Sequence, residues 1–112
     1  MMTLTPDQRI QKFFQLAERF PESEVPRFSL AQAYRDAGQY EQAELAFQAV
    51  TDIKADFMLA WIERARCLVA LERYEDAKPI AEYGLQLAID QFHEEPKLDC
   101  EALLEEIEEE LE

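Results

Sequence analysis

Residues 24–56 read EVPRFSLAQAYRDAGQYEQAELAFQAVTDIKAD, and residues 58–89, MLAWIERARCLVALERYEDAKPIAEYGLQLAI, restate that stretch 34 residues later. Ala31 returns as Ala65, Tyr40 as Tyr74, Glu41 as Glu75 and Ala43 as Ala77. A fixed period of this length marks a stack of like supersecondary units, each needing its neighbour to cover its apolar face. The residue types that recur matter more than their number. Alanines let two helix backbones approach closely, while tyrosine and leucine fill the space around them.

Outward from this repeat, the composition agrees with helices. The chain has 112 residues, 48% of them apolar, with seven Phe, four Tyr and one Trp but only two Gly and five Pro. That supply of apolar residues suits one modest core and excludes a disordered chain over most of the length. The scarcity of Gly and Pro beside abundant Ala, Glu, Gln and Leu favours an all-α fold. There is no long apolar run and no basic start leading into one, so neither a membrane span nor a secretory signal is expected. Cys67 and Cys100 stand alone within helical patterns, without the spacing of a metal site, which points to a reducing, cytoplasmic setting.

The net charge of −14 is unevenly spread. Residues 94–112 hold ten acidic side chains against Lys97 alone, leaving −5 for the first 93 residues. Such a balance argues against nucleic acid and anionic membranes as partners, because both repel it. Solubility alone is a sufficient account of it.

Six helices follow from the periodicity. Thr5-Pro6 reads as a cap and first helical residue, with Ile10, Phe13, Phe14, Ala17 and Phe20 along one side until Pro21. A second helix over 24–37 ends at Gly38, where a left-handed residue is wanted, and a very short turn returns the third, over 41–53, antiparallel to it. Asp56 is the expected cap of a fourth helix over 57–71. The fifth runs from about 75 to 91, with Pro79 placed late in its first turn. Glu94-Glu95-Pro96 is read as a break, after which residues 98–111 form an acidic helix with Leu103, Leu104, Ile107 and Leu111 on its apolar side.

The 34-residue unit resembles the tetratricopeptide repeat, a pair of antiparallel helices. In the first unit Leu30, Ala31, Tyr34, Gly38, Tyr40, Ala43 and Phe47 fit the family pattern; in the second, Trp61, Ala65, Leu68, Tyr74 and Ala77 do. Arg27 stands where Trp61 recurs, Arg64 replaces Leu30, Val50 and Gly84 share the later small-residue place, and Ala55 replaces the closing Pro. Residues 6–21 fit as the second half of a degenerate unit, with Phe13 in the place of Phe47 but Arg9 in that of Ala43. The resemblance implies a right-handed α-solenoid of antiparallel hairpins: a half repeat at 6–21, repeats at 24–57 and 58–91, and an acidic capping helix at 98–111.

By the same resemblance, the first helix of each unit lines a concave groove that binds another protein. The residues expected there are Phe28, Gln32, Arg35, Leu59, Ile62, Arg66 and Val69, an apolar set with two arginines suited to a peptide or helix carrying apolar anchors and a carboxylate. A subgroup of the family clamps the C-terminal carboxylate of chaperone tails with Lys and Asn. Here Phe28, Gln32 and Glu63 hold those places, so that clamp is not expected.

The other readings are core packing for the apolar members and surface pairing for the arginines. The acidic helix is expected to cap the stack; a contact between its acidic face and Arg35 or Arg66 is the alternative. His93 beside Glu94 and Glu95 is a solvated loop histidine, and no cofactor, metal or enzymatic site is expected. The functional expectation is a small non-enzymatic interaction module. Its alternatives are a self-associating, dimeric unit and a small chaperone for a secreted protein.

Overall fold

Short polar side chains begin the first helices, and left-handed corners turn the chain between later ones. The computed structural model describes residues 3–112 and contains α1 (Pro6–Arg19), α2 (Glu24–Asp36), α3 (Tyr40–Ile53), α4 (Met58–Ala70), α5 (Tyr74–Asp90) and α6 (Glu94–Leu111). Thr5 Oγ1 accepts from the Gln8 amide at 3.1 Å while the Gln8 side chain accepts from the Thr5 amide at 2.9 Å, a reciprocal cap for α1. Ser23 caps α2 by accepting from the Val25 amide at 3.3 Å.

Three corners share one bond pattern. Gly38 lies at φ 77°, and the Gln39 amide reaches back to the Tyr34 carbonyl at 2.9 Å. Glu72, 34 residues on, repeats this at φ 58° with Arg73 bonding to Leu68 at 2.8 Å, and Phe92 repeats it at φ 59° with His93 bonding to Ala88 at 2.9 Å. Glycine occupies this left-handed position at low cost, whereas a side chain there is strained. Only the first corner has glycine.

Three boundary expectations change. Residues 94–96 do not break the chain: α6 starts at Glu94, directly after the Phe92 corner, and Pro96 is its third residue. The missing N–H of Pro96 falls among the first-turn amides that have no intrahelical partner in any case. Pro79 is the sixth residue of α5 rather than a first-turn residue, so the Glu75 carbonyl loses a donor; both residues are exposed, and water can supply one. At α4 the cap position is Phe57, not Asp56, and no side chain bonds there. The Phe57 ring packs 4.8 Å from the Phe28 ring, which holds residue 57 at the boundary.

Each helix packs on the next, and α4 also touches α6, giving a stack of 44 × 27 × 26 Å. Ala31, Ala43, Phe47, Val50, Ala60 and Cys67 form one buried cluster across α2, α3 and α4. Ala65, Leu68, Ala77, Ala81, Leu103 and Ile107 form another across α4, α5 and α6. Gly84 allows the α4–α5 approach, since a Cβ there would sit 3.3 Å from Ile62 Cγ1. On α6, Cys100, Leu103 and Ile107 are buried while Leu111 is 40% exposed, so the last turn extends past the apolar surface that the helix covers.

Arg64, which stands in the apolar place of Leu30, is buried at 8% exposure. Its guanidinium donates to Thr51 Oγ1 at 3.3 Å and Glu44 Oε1 at 3.4 Å, and lies 4.9 Å from the Trp61 ring centre. Its Nε is buried without a partner.

Candidate partner-binding face

Alternation of the hairpins puts α2, α4 and α6 in one row. Polar side chains link that row. Arg35 on α2 donates to Glu63 on α4 at 2.7 Å, and Arg66, one turn further along α4, donates to the other Glu63 oxygen at 2.7 Å. Arg66 also lies 3.6 Å from Asp99 on α6. Arg35 in addition grips Asp36 through two nitrogens at 3.1 and 3.2 Å, and Arg9 on α1 donates to the same carboxylate at 3.1 Å. The sequence Arg9–Asp36–Arg35–Glu63–Arg66–Asp99 is therefore a continuous chain of opposite charges from α1 to α6.

Its central carboxylate is the most buried. The Glu63 side chain is 12% exposed, against 30% for Arg35 and 45% for Arg66. Burial works against the charge on Arg35, but the bond to Glu63, followed by Asp36, outweighs it and raises the guanidinium above its ordinary pKa. Burial likewise opposes ionisation of Asp36, yet the donors Arg9 and Arg35 hold its carboxyl below the usual range. Cys67, one turn beyond Glu63, has its thiol pushed up to about 12 by burial first and by Glu63 next. It is a core residue, not a nucleophile.

The residues expected in the groove divide into three groups. Ile62 is a correction: at 2% exposure it packs with Met58, Ala88 and Cys100, out of reach of a partner. Phe28 and Val69 are half-buried against the two larger clusters, Phe28 lying 5.6 Å from Phe47. Gln32, Arg35, Leu59 and Arg66 keep accessible surface, Leu59 at 47%. A shallow cavity of about 380 Å³ adjoins Leu59, lined also by Lys54, Asp56, Phe57, Met58 and Gln91.

Val25, 34 residues before Leu59, is 64% exposed at the equivalent place and was not among the expected residues. The repeat register alone could have found it. A cavity of about 520 Å³ lies elsewhere, on the α3–α5 side, with Glu44 and Arg64 in its wall. Its five charged residues, Glu41, Glu44, Arg64, Arg73 and Asp76, include the Arg64–Glu44 and Arg73–Asp76 pairs. We assign it no ligand.

Among the described residues no group of three or more His, Cys, Asp or Glu is placed to hold a metal ion, and no helix is long and apolar enough to cross a membrane. His93 is exposed at the start of α6.

Residues 27–57, which span most of α2 and all of α3, match the family model described as tetratricopeptide repeat. The chain carries a tetratricopeptide repeat. Its whole fold is the tetratricopeptide-repeat (TPR) fold. The first TPR of Spaghetti (RPAP3), bound to the HSP90 peptide SRMEEVD, superposes with a TM-score of 0.82 at 22% identity, covering 95% of this chain and 79% of that one. The TPR2B domain of yeast Sti1, in a pHsp70 complex, gives 0.85 at 13% identity, with 93% and 83% covered. The Sgt2 TPR domain from Aspergillus fumigatus gives 0.78 at 22% identity, with 93% and 69% covered. No curated protein matches the chain significantly in sequence. The TPR repeat thus accounts for the 34-residue period, and the row of α2, α4 and α6 corresponds to the first helix of successive units.

Proposed function

We propose that this TPR chain is a non-catalytic interaction module that takes a peptide or helical segment of a partner protein along the α2–α4–α6 row. The observation that carries this reading is the pair Val25 and Leu59, large apolar side chains 64% and 47% exposed at equivalent places on neighbouring helices. Isolated exposed apolar residues are ordinary, but a pair in register beside half-buried Phe28 and Phe57 offers successive anchor points to one extended or helical ligand. The Spaghetti domain, of the same fold, is a peptide complex, which supports the same use here.

Selection of a random dodecapeptide display library on the full chain tests the reading. Enriched peptides are expected to lose at least tenfold in affinity for Leu59→Glu, with helicity unchanged in circular dichroism. Equal binding to that variant would place the ligand elsewhere.

A second reading, self-association, rests on a different observation. Helix α1 and its C-cap leave Phe14 and Phe20 at 45% and 49% exposure, and a second copy could cover them. Sedimentation across a concentration series decides it; a monomer at every concentration removes it.

A further inference from the structure

Resting on the groove reading above, we propose that the partner segment is cationic: a peptide carrying Lys or Arg beside its apolar anchors. The two arginines of the row suggest a carboxylate ligand when read from sequence. The geometry points the other way. Both guanidinium groups are held by Glu63 at 2.7 Å, Arg35 also bonds to Asp36 through its other two nitrogens, and Arg66 faces Asp99 at 3.6 Å. An incoming carboxylate therefore meets arginines that carboxylates of the chain already neutralise, and it adds a further negative charge beside Glu63, Asp36 and Asp99.

A cation meets no such barrier. The accessible charge beside the row is mostly acidic: Asp36 and Asp99 are 45% and 52% exposed, Asp99 is held only by a 3.6 Å contact, and Glu94 and Glu101 on α6 are 76% and 49% exposed, against Arg66 at 45% and Arg35 at 30%. Asp36 and Asp99 can each accept a further donor without giving up an arginine. The rest of the chain reinforces this. Lys97 is spent on Glu94 and Glu101, Lys78 on Glu108 and Arg73 on Asp76. Among the described residues the basic side chains outside ion pairs are Lys12, Arg19, Arg27 and Lys54; Lys54 shares the cavity beside Leu59 with Asp56. At a net charge of −14 the long-range field also draws a cation in and repels an anion. The acidic peptide SRMEEVD bound by the Spaghetti domain is the wrong ligand on this account.

The same library selection provides the test, read for charge and followed by titration of individual peptides. Enriched sequences should carry more Lys and Arg than the input, and SRMEEVD should bind at least tenfold more weakly than any of them. Asp99→Asn, and separately Asp36→Asn, should weaken the enriched peptides several-fold. Glu109→Gln with Glu110→Gln, which remove the same kind of charge from the end of α6, should not.

Enrichment of neutral or acidic peptides overturns the proposal. So does an equal loss in the Glu109/Glu110 variant, which would mean that only the overall field is felt. Cationic peptides that bind Leu59→Glu as well as the unaltered chain would instead sink the groove reading on which the proposal rests. A library without enrichment sinks both.

Discussion

The Arg64–Glu44 pair is where the second repeat departs furthest from the first, and it yields a double-mutant prediction. Both side chains are 10% exposed, and their closest approach is 3.4 Å. At an effective dielectric of about 20, charges at that separation attract by about 5 kcal/mol. Removing two ions from water costs several kcal/mol each, so the intact pair contributes little net stability. Cutting one partner is another matter. Glu44→Ala leaves the guanidinium buried with Thr51, the Trp61 ring and an Nε that already lacks an acceptor. Breaking a buried pair costs about 3–5 kcal/mol, and the length of this contact places the expected loss near the lower end, about 3 kcal/mol.

Replacing both residues with apolar ones, Arg64→Leu with Glu44→Met, restores at position 64 the residue type of Leu30. The expectation is stability equal to the unaltered chain or higher by about 1–2 kcal/mol. Urea unfolding followed by far-ultraviolet circular dichroism, with m values compared among variants, reads this directly. A Glu44→Ala variant within about 0.5 kcal/mol of the unaltered chain would refute the burial argument. A double variant less stable than either single one would show that the pair itself stabilises the stack.

Two further outcomes follow from the corners and the charge chain. Glu72→Gly should stabilise by about 0.5–1 kcal/mol, because it relieves a left-handed residue in a corner that glycine already occupies at position 38; a lower thermal midpoint than the unaltered chain would show that Glu72 carries a compensating contact. Asp36 titrates in a definite direction: its folded-state pKa is depressed, so its contribution is complete above the ordinary carboxylate range of about pH 4 and is lost as pH falls through the lower folded value. Urea midpoints measured down the acid limb should therefore fall less steeply for Asp36→Asn, and parallel curves would mean that Arg9 and Arg35 do not hold the carboxylate in solution.

The repeat and its helices were legible because backbone close approach and left-handed corners demand particular residue types. Ala31, Ala43, Ala65, Ala77 and Gly38 are at such places, and one sequence compared with itself exposes them. Side chains that satisfy one another across helices leave no comparable trace. Nothing in a single sequence pairs Arg35 with Glu63, 28 residues away on the next hairpin, and Arg66 looks as free as any surface arginine until Glu63 and Asp99 are placed beside it. Ile62 misled for a related reason: a helix contacted on several sides buries residues from more than one stripe, and periodicity does not rank those stripes by depth.

Arg64 gave the clearest usable signal. An arginine in a place that the preceding repeat keeps apolar calls for a buried acceptor, and Glu44 on the neighbouring helix supplies it. The same logic carries to the proposed partner face. Where a repeat protein spends its own carboxylates on the arginines of a groove, the count of arginines no longer predicts the sign of the ligand. The balance of accessible charge does, and along α6 that balance is negative: Asp99, Glu94 and Glu101 are 52%, 76% and 49% exposed, against Lys97 at 37%.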